Sequence, residues 1–216
     1  MNKIKACIFD LDGVIVDTAK YHFLAWKKLT DEMNIPFTTT DNERLKGVSR
    51  MACMDILLEL GNISLDEDEK IKLATKKNAW YLELISDLNP SEILPGTNKL
   101  LTTLKEGNIK IALGSASKNA MTILNSLNLV SYFDSIIDGT KVENAKPDPE
   151  VFLKAAEELN IAPEDCVVFE DSQAGIEAAL NGKMLCVGIG SDDNLKGSHI
   201  LVTGLDKVNM DILNSL

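Results

Sequence analysis

The chain has 216 residues, 45% of them hydrophobic and 25% charged, with a formal net charge of −11. That length holds one large domain or two modest ones, and the charge disfavours nucleic-acid backbones and anionic membrane surfaces as partners. No stretch approaches the roughly 18 apolar residues of a membrane span, and the amino terminus lacks the apolar centre of a leader, so a cytoplasmic protein is expected. The four cysteines, Cys7, Cys53, Cys166 and Cys186, have no C-x-x-C spacing. Buried free thiols in a reducing compartment are expected.

The run Ala6-Cys7-Ile8-Phe9 is apolar and uncharged, as a buried strand of a parallel sheet is. It ends in Asp10-Leu11-Asp12-Gly13, where Asp-Gly marks a turn. Ligands of open α/β sheets bind at that edge. Two carboxylates so close repel unless a cation neutralises them, and a hard cation with oxygen ligands, Mg²⁺ above all, fits. A surface turn after an edge strand is the ordinary alternative.

Residues 18–33 read as a helix with Thr18 as candidate N-cap. Thr18, His22 and Trp26 are spaced by four and share one face, where His22 and Trp26 serve equally as core residues. Pro36 breaks this helix, and residues 38–41 supply caps for the next. The link Gly47-Val48-Ser49-Arg50 follows; an arginine fork suits phosphate, or simply solvent. Residues 51–60 form a helix stopped by Gly61, and residues 66–86 another, carrying Lys76-Lys77-Asn78. No strand pattern occurs over 18–87, which predicts a small helical domain inserted after the first strand.

Beyond Pro95-Gly96 strands and helices alternate, predicting a parallel sheet with helical crossovers. Helices are expected over 97–106, 120–127, 145–160, 173–180 and 205–216, and strands over 109–113, 135–137, 166–169, 184–187 and 200–202. The second strand ends in Ser115-Ala116-Ser117-Lys118-Asn119, a natural phosphate cradle or else a capped turn. Lys146 stands just before Pro147 and Pro149 on a stiffened segment. Glu170-Asp171 repeats the pattern of acids at the end of an apolar strand. Gly188-Ile189-Gly190 lacks the third glycine and the placement of a dinucleotide loop.

Four strand ends thus carry Asp10/Asp12, Ser115, Lys146 and Glu170/Asp171, and right-handed crossovers would bring such ends to one edge. Asp10 has the chemistry of a carboxylate nucleophile toward phosphorus, and Asp12 the spacing to exchange a proton with the attacking or departing hydroxyl. Mg²⁺, Lys146 and Ser115 would balance the charge of the transferring group.

These motifs resemble the haloacid dehalogenase superfamily. The segments Asp17-Thr18-Ala19-x-x-His22-x-x-Ala25-Trp26, Gly47-Val48-Ser49-Arg50, Lys77-Asn78 and Ser115 to Asn119 are similar to those of its β-phosphoglucomutase branch. The resemblance implies an α/β fold: a Rossmann-like parallel sheet core (1–17 and 88–216) with helices on both faces, plus an all-helical cap (18–87). It implies interconversion of β-D-glucose 1-phosphate and D-glucose 6-phosphate, with β-glucose 1,6-bisphosphate as intermediate and one Mg²⁺ per chain. Asp10, the Asp12 backbone carbonyl and Asp171 would hold the metal, with Glu170 nearby. Arg50, Ser117, Lys118 and Asn119 would grip the second phosphate. Thr18 and His22 would place Asp12, and Lys77 would reach the sugar, with Trp26, Gly47, Val48 and Ala116 also on the substrate side. A monomer acting on small sugar phosphates is expected. A sugar-phosphate phosphatase using the same aspartates, and a non-catalytic phosphosugar-binding regulator, are the alternatives. One departure is Met51-Ala52-Cys53-Met54, where the family often continues with acidic residues.

Overall fold

β1 (Ala6–Phe9) is buried on both faces, as the centre of a parallel sheet must be. The structure, a computed structural model, describes residues 4–191 and 195–216; residues 1–3, at the start of the expected core and in the stretch read above for a leader, lie outside the described residues. β1 pairs in parallel with β2 (Lys110–Gly114) on one side and β4 (Cys166–Glu170) on the other. Beyond β2 lies β3 (Ser135–Ile137); beyond β4 lie β5 (Leu185–Ile189) and β6 (Ile200–Val202). Among the described residues the order is β3-β2-β1-β4-β5-β6, all pairs parallel.

Alternation along the strands divides the core in two. Cys7 and Phe9 join Leu113, Val167 and Phe169 on one face, covered by α5 (Thr97–Glu106) and α6 (Ala120–Ser126). Ala6 and Ile8 join Ala112 and Val168 on the other, covered by α7 (Glu150–Leu159) and α8 (Gln173–Asn181). Phe9 and Phe169, opposite each other in register, stack at 4.6 Å. Each such fully buried side chain contributes about 1.5–3 kcal/mol.

Between β1 and α5 the chain runs through α1 (Ala19–Glu32), α2 (Thr39–Glu43), α3 (Arg50–Gly61) and α4 (Glu67–Leu84). These helices have their own apolar cluster around Trp26, Leu29, Met54 and Leu57. α4 is capped by a reciprocal Asp66–Glu69 box, with three acids in its first turn facing the helix dipole. All four cysteines are free and buried. No helix among the described residues is long and apolar enough to cross a membrane.

Several element ends differ from expectation. Thr18 precedes α1 but makes no side-chain cap; its hydroxyl is used elsewhere. Gly61 is still helical, and Asn62, at φ 49°, takes the left-handed capping position. α7 starts at Glu150 rather than near 145, because Pro147 and Pro149 cannot supply the backbone donors of a helix interior. The expected helix over 205–216 is a short turn at Leu205–Lys207 followed by α9 (Met210–Asn214), with Asn209 accepting from the Ile212 N–H as its cap.

Candidate active site

The register puts the carboxyl ends of β1, β2 and β4 side by side, Phe9 opposite both Leu113 and Phe169. The next residue, Asp10, donates its backbone N–H to the Phe169 carbonyl at 3.0 Å, so it still belongs to the sheet edge. Its carboxyl is buried, and Lys146 Nζ donates to Asp10 Oδ1 at 2.6 Å. The same ammonium donates to Glu170 Oε2 at 2.8 Å and to the Gly114 carbonyl at 3.2 Å. Glu170 is fully committed: its Oε1 accepts from Ser172 N–H and Oγ, and Ser172 Oγ in turn accepts from Gly175 at the start of α8.

Charge in this corner does not balance. One oxygen each of Asp10, Glu170 and Asp171 lies within 4.8 Å of the others. Burial pushes the Asp10 carboxyl up to about 7 despite Lys146. Burial first, then the Glu170 and Asp10 charges, raises Asp171 well above the carboxylate range. Burial alone would lower the Lys146 ammonium, but the Asp10 and Glu170 charges more than offset it and leave it above the usual lysine value. Three converging carboxyls against one ammonium, all oxygen donors, fit a hard divalent cation. Gly13, at φ 86°, leaves room for that site, since a Cβ there would run into the Asp171 carboxylate.

Asp12 is not in this group. Its Oδ1 accepts from Thr18 Oγ1, and His22 Nε2 lies 3.9 Å away. The Asp12 carboxylate, expected among the metal residues, is thus turned to Thr18 and His22 and stands outside the cluster of Asp10, Glu170 and Asp171. His22 Nδ1 is 2.9 Å from Lys77 Nζ. Burial, then the Lys77 and Arg50 charges, holds His22 well below the ordinary imidazole value. Burial likewise lowers Lys77 to about 7, its ammonium lying 4.5 Å from the Trp26 ring centroid.

One cleft joins these groups. It is lined by Asp10, Asp12 and Asp171; by His22, Trp26 and Lys77; by Gly47, Val48 and Arg50; and by Ser115, Ala116, Ser117, Lys118 and Asn119. Thr18, Lys146 and Glu170 stand behind its wall as partners of the carboxylates. The loop after β2 is shaped by its own hydroxyls, Ser115 Oγ accepting from Ser117 N–H and Ser117 Oγ from Asn119 N–H. Arg50 is half-buried with no ion-pair partner among the described residues.

Sequence reasoning gave no role to three contributors, although Asn78 and Ser172 stand in or beside motifs that it quoted. Lys46 lines the cleft, and its charge opposes the rise of Asp171. Asn78 Oδ1 accepts from Asn119 Nδ2 at 3.0 Å, tying α4 to the loop after β2. Ser172 holds Glu170 and also meets Gly47: a Cβ at that position, φ 72°, would strike the Ser172 side chain. The signal for Ser172 was present, a serine three residues before Gly175 at a helix start; Asn78 was marked only by the Lys77-Asn78 resemblance, and Lys46, a surface-type lysine, by nothing.

A family model for haloacid dehalogenase-like hydrolases matches residues 4–182. The chain belongs to that family. Among haloacid dehalogenase-like proteins it is 43% identical to β-phosphoglucomutase of Bacillus subtilis, over 98% of this chain and 94% of that one. The crystal structure of β-phosphoglucomutase from Clostridium difficile superposes with a TM-score of 0.94 at 45% identity, covering 98% of this chain and 96% of the other. A phosphorylated carbohydrates phosphatase of Thermotoga maritima is 36% identical over 82% of this chain and 80% of its own length. The chain is therefore a β-phosphoglucomutase homologue within a family that also contains phosphatases.

Proposed function

We propose that the protein interconverts β-D-glucose 1-phosphate and D-glucose 6-phosphate, with Asp10 transiently phosphorylated and β-glucose 1,6-bisphosphate as intermediate. In this reading residues 1–17 and 88–216 form the catalytic core, and 18–87 the cap. The two connections between them run together, Val16 bridging to Ile93 and Leu94 N–H donating to the Ile15 carbonyl.

Asp10 Oδ1 is held by Lys146, which leaves Oδ2 to attack phosphorus. Lys146 and Ser115 hold the transferring group's charge at fixed positions. Asp10, Asp171 and the Asp12 backbone would hold one Mg²⁺, with Glu170 behind, and the ion would supply charge neutralisation at the phosphoryl oxygens. Asp12 moves the proton of the sugar hydroxyl, oriented by Thr18 and His22. Trp26 and Lys77 close the sugar side of the cleft. The cap excludes water, which otherwise would accept the phosphoryl group.

The observation that supports the mutase reading is that the cleft lined by Asp10 and Asp12 also carries Arg50 and Lys118, with Ser117 and Asn119, cations beyond the Lys146 that Asp10 already holds. A bisphosphate has two phosphates and needs two anion sites. The test supplies Mg²⁺, β-glucose 1-phosphate and a trace of bisphosphate. Glucose 6-phosphate is the expected product, the α-anomer a poor substrate. Phosphate release faster than isomerisation would replace this reading with a sugar-phosphate phosphatase. A reducing cytoplasm suits the four buried free thiols.

A further inference from the structure

Tyr81, on α4, is fully buried, yet its hydroxyl has no hydrogen-bond partner among the described residues. A buried hydroxyl left unmatched is unfavourable, so phenylalanine would serve better if packing were its whole role. Its surroundings argue otherwise. The ring lies against the His22 imidazole, centroids 4.0 Å apart and planes tilted by 30°. The Lys77 ammonium is 4.9 Å from the same ring centroid. His22 and Lys77 are bonded to each other, and the other nitrogen of His22 faces Asp12. One ring thus supports both members of the pair that reaches the proton-transfer carboxylate.

The hydroxyl end senses the same carboxylate. Burial, then the Asp12 charge, pushes the Tyr81 phenol up, while the Thr18 hydroxyl pulls it down. Thr18 Oγ1 gives its one proton to Asp12 and keeps lone pairs free to accept. Tyr81 belongs to the apolar cluster of the sheet core, which also takes in Val14 and Val16 of the first connection, whereas Ala74 of the same helix belongs to the cap cluster. It therefore sits where a cap movement is felt at the Asp12 loop.

We propose that Tyr81 is a positioning residue for Asp12: its ring fixes the His22–Lys77 pair, and its spare hydroxyl donates to Thr18 when the cleft closes on substrate. The resulting Tyr81–Thr18–Asp12 chain of hydrogen bonds bears on the proton-transfer carboxylate and not on the substrate, so its loss falls on kcat rather than KM. The proposal rests on the reading of Asp12 as proton carrier in the mutase.

Tyr81→Phe keeps the ring and removes only the hydroxyl. The expected result is a Tm equal to or above that of the parent, KM within about twofold, and kcat lower by roughly tenfold. An unchanged kcat overturns the proposal, and so does a kcat loss that tracks a fall in Tm. Tyr81→Leu, which also removes the support under His22 and Lys77, is expected to raise KM as well; KM equal to that of Tyr81→Phe would overturn the role of the ring. Failure of the mutase reading is seen separately, as phosphate release without isomerisation by the parent protein. The same kcat ratio is then read on phosphate release, where a proton must equally be moved.

Discussion

Lys77 shows how a single side chain is set for function at the expense of the free protein. It is 2% exposed, and its ammonium is held near 7 against a usual 10.5, chiefly by burial. The folded chain therefore binds this proton more weakly than the unfolded chain does. The destabilisation is full below about pH 7 and is relieved as pH rises toward 10.5. Lys77→Met should raise stability by an amount on the order of a few kcal/mol near pH 6, and by much less near pH 10. Urea midpoints at the two pH values check this; a gain that does not shrink with pH would contradict it. Turnover should fall in the same variant, since Lys77 lines the sugar side of the cleft and pairs with His22 beside Asp12. The pairing of Lys77 with His22 could not be read from a lysine doublet on a helix, because it depends on the crossing of α1 and α4. Thr18 had two readings: the spacing suits an N-cap, which its side chain does not make, and the resemblance has it place Asp12, to which its hydroxyl donates.

At the scale of elements, the contact of the α2–α3 link with the start of α8 matters most. Gly47 meets Ser172 there, and Ser172 both caps α8 and holds Glu170. Gly47→Ala adds a methyl group into Ser172 and disfavours the φ of 72°. The expected result is a cleft that closes less well: isomerisation lower by about tenfold and a larger share of turnover ending as phosphate release. An unaltered ratio of isomerisation to phosphate release would contradict the closing role of this contact. The elements themselves were largely legible where local chemistry decides them. α5 runs Thr97–Glu106 as expected, stopped at Gly107, and the Thr38–Asp41 cap was visible in the sequence. The errors fell where two signals competed. Two prolines invite a helix start and also delay it, which moved α7 to Glu150. Apolar spacing over 205–216 hid the Asn209 cap that begins α9.

For the whole molecule, the strand-end constellation was readable because each piece follows an apolar run, and a parallel sheet brings such ends together. What the sequence could not convey is the imbalance of three carboxyls around one ammonium, which arises only from their mutual burial. That imbalance has a global consequence. In metal-stripped protein at constant ionic strength, Mg²⁺ at about a hundred times its Kd should stabilise the fold by about 2.7 kcal/mol. This is a shift of a few degrees in Tm, and it should be lost in Asp171→Asn. An equal shift in that variant would mean that Mg²⁺ acts on the overall charge of −11 rather than on this site.

The most direct measurement follows phosphate itself. The protein is mixed with Mg²⁺ and labelled β-glucose 1,6-bisphosphate, quenched in acid, and its peptides mapped; a second sample is chased with unlabelled β-glucose 1-phosphate before quenching. Label is expected on Asp10 alone, absent from Asp10→Asn, and transferred to sugar in the chase. Label on another residue, no label on the protein, or label that passes only to water would contradict Asp10 as the carrier between two sugar positions.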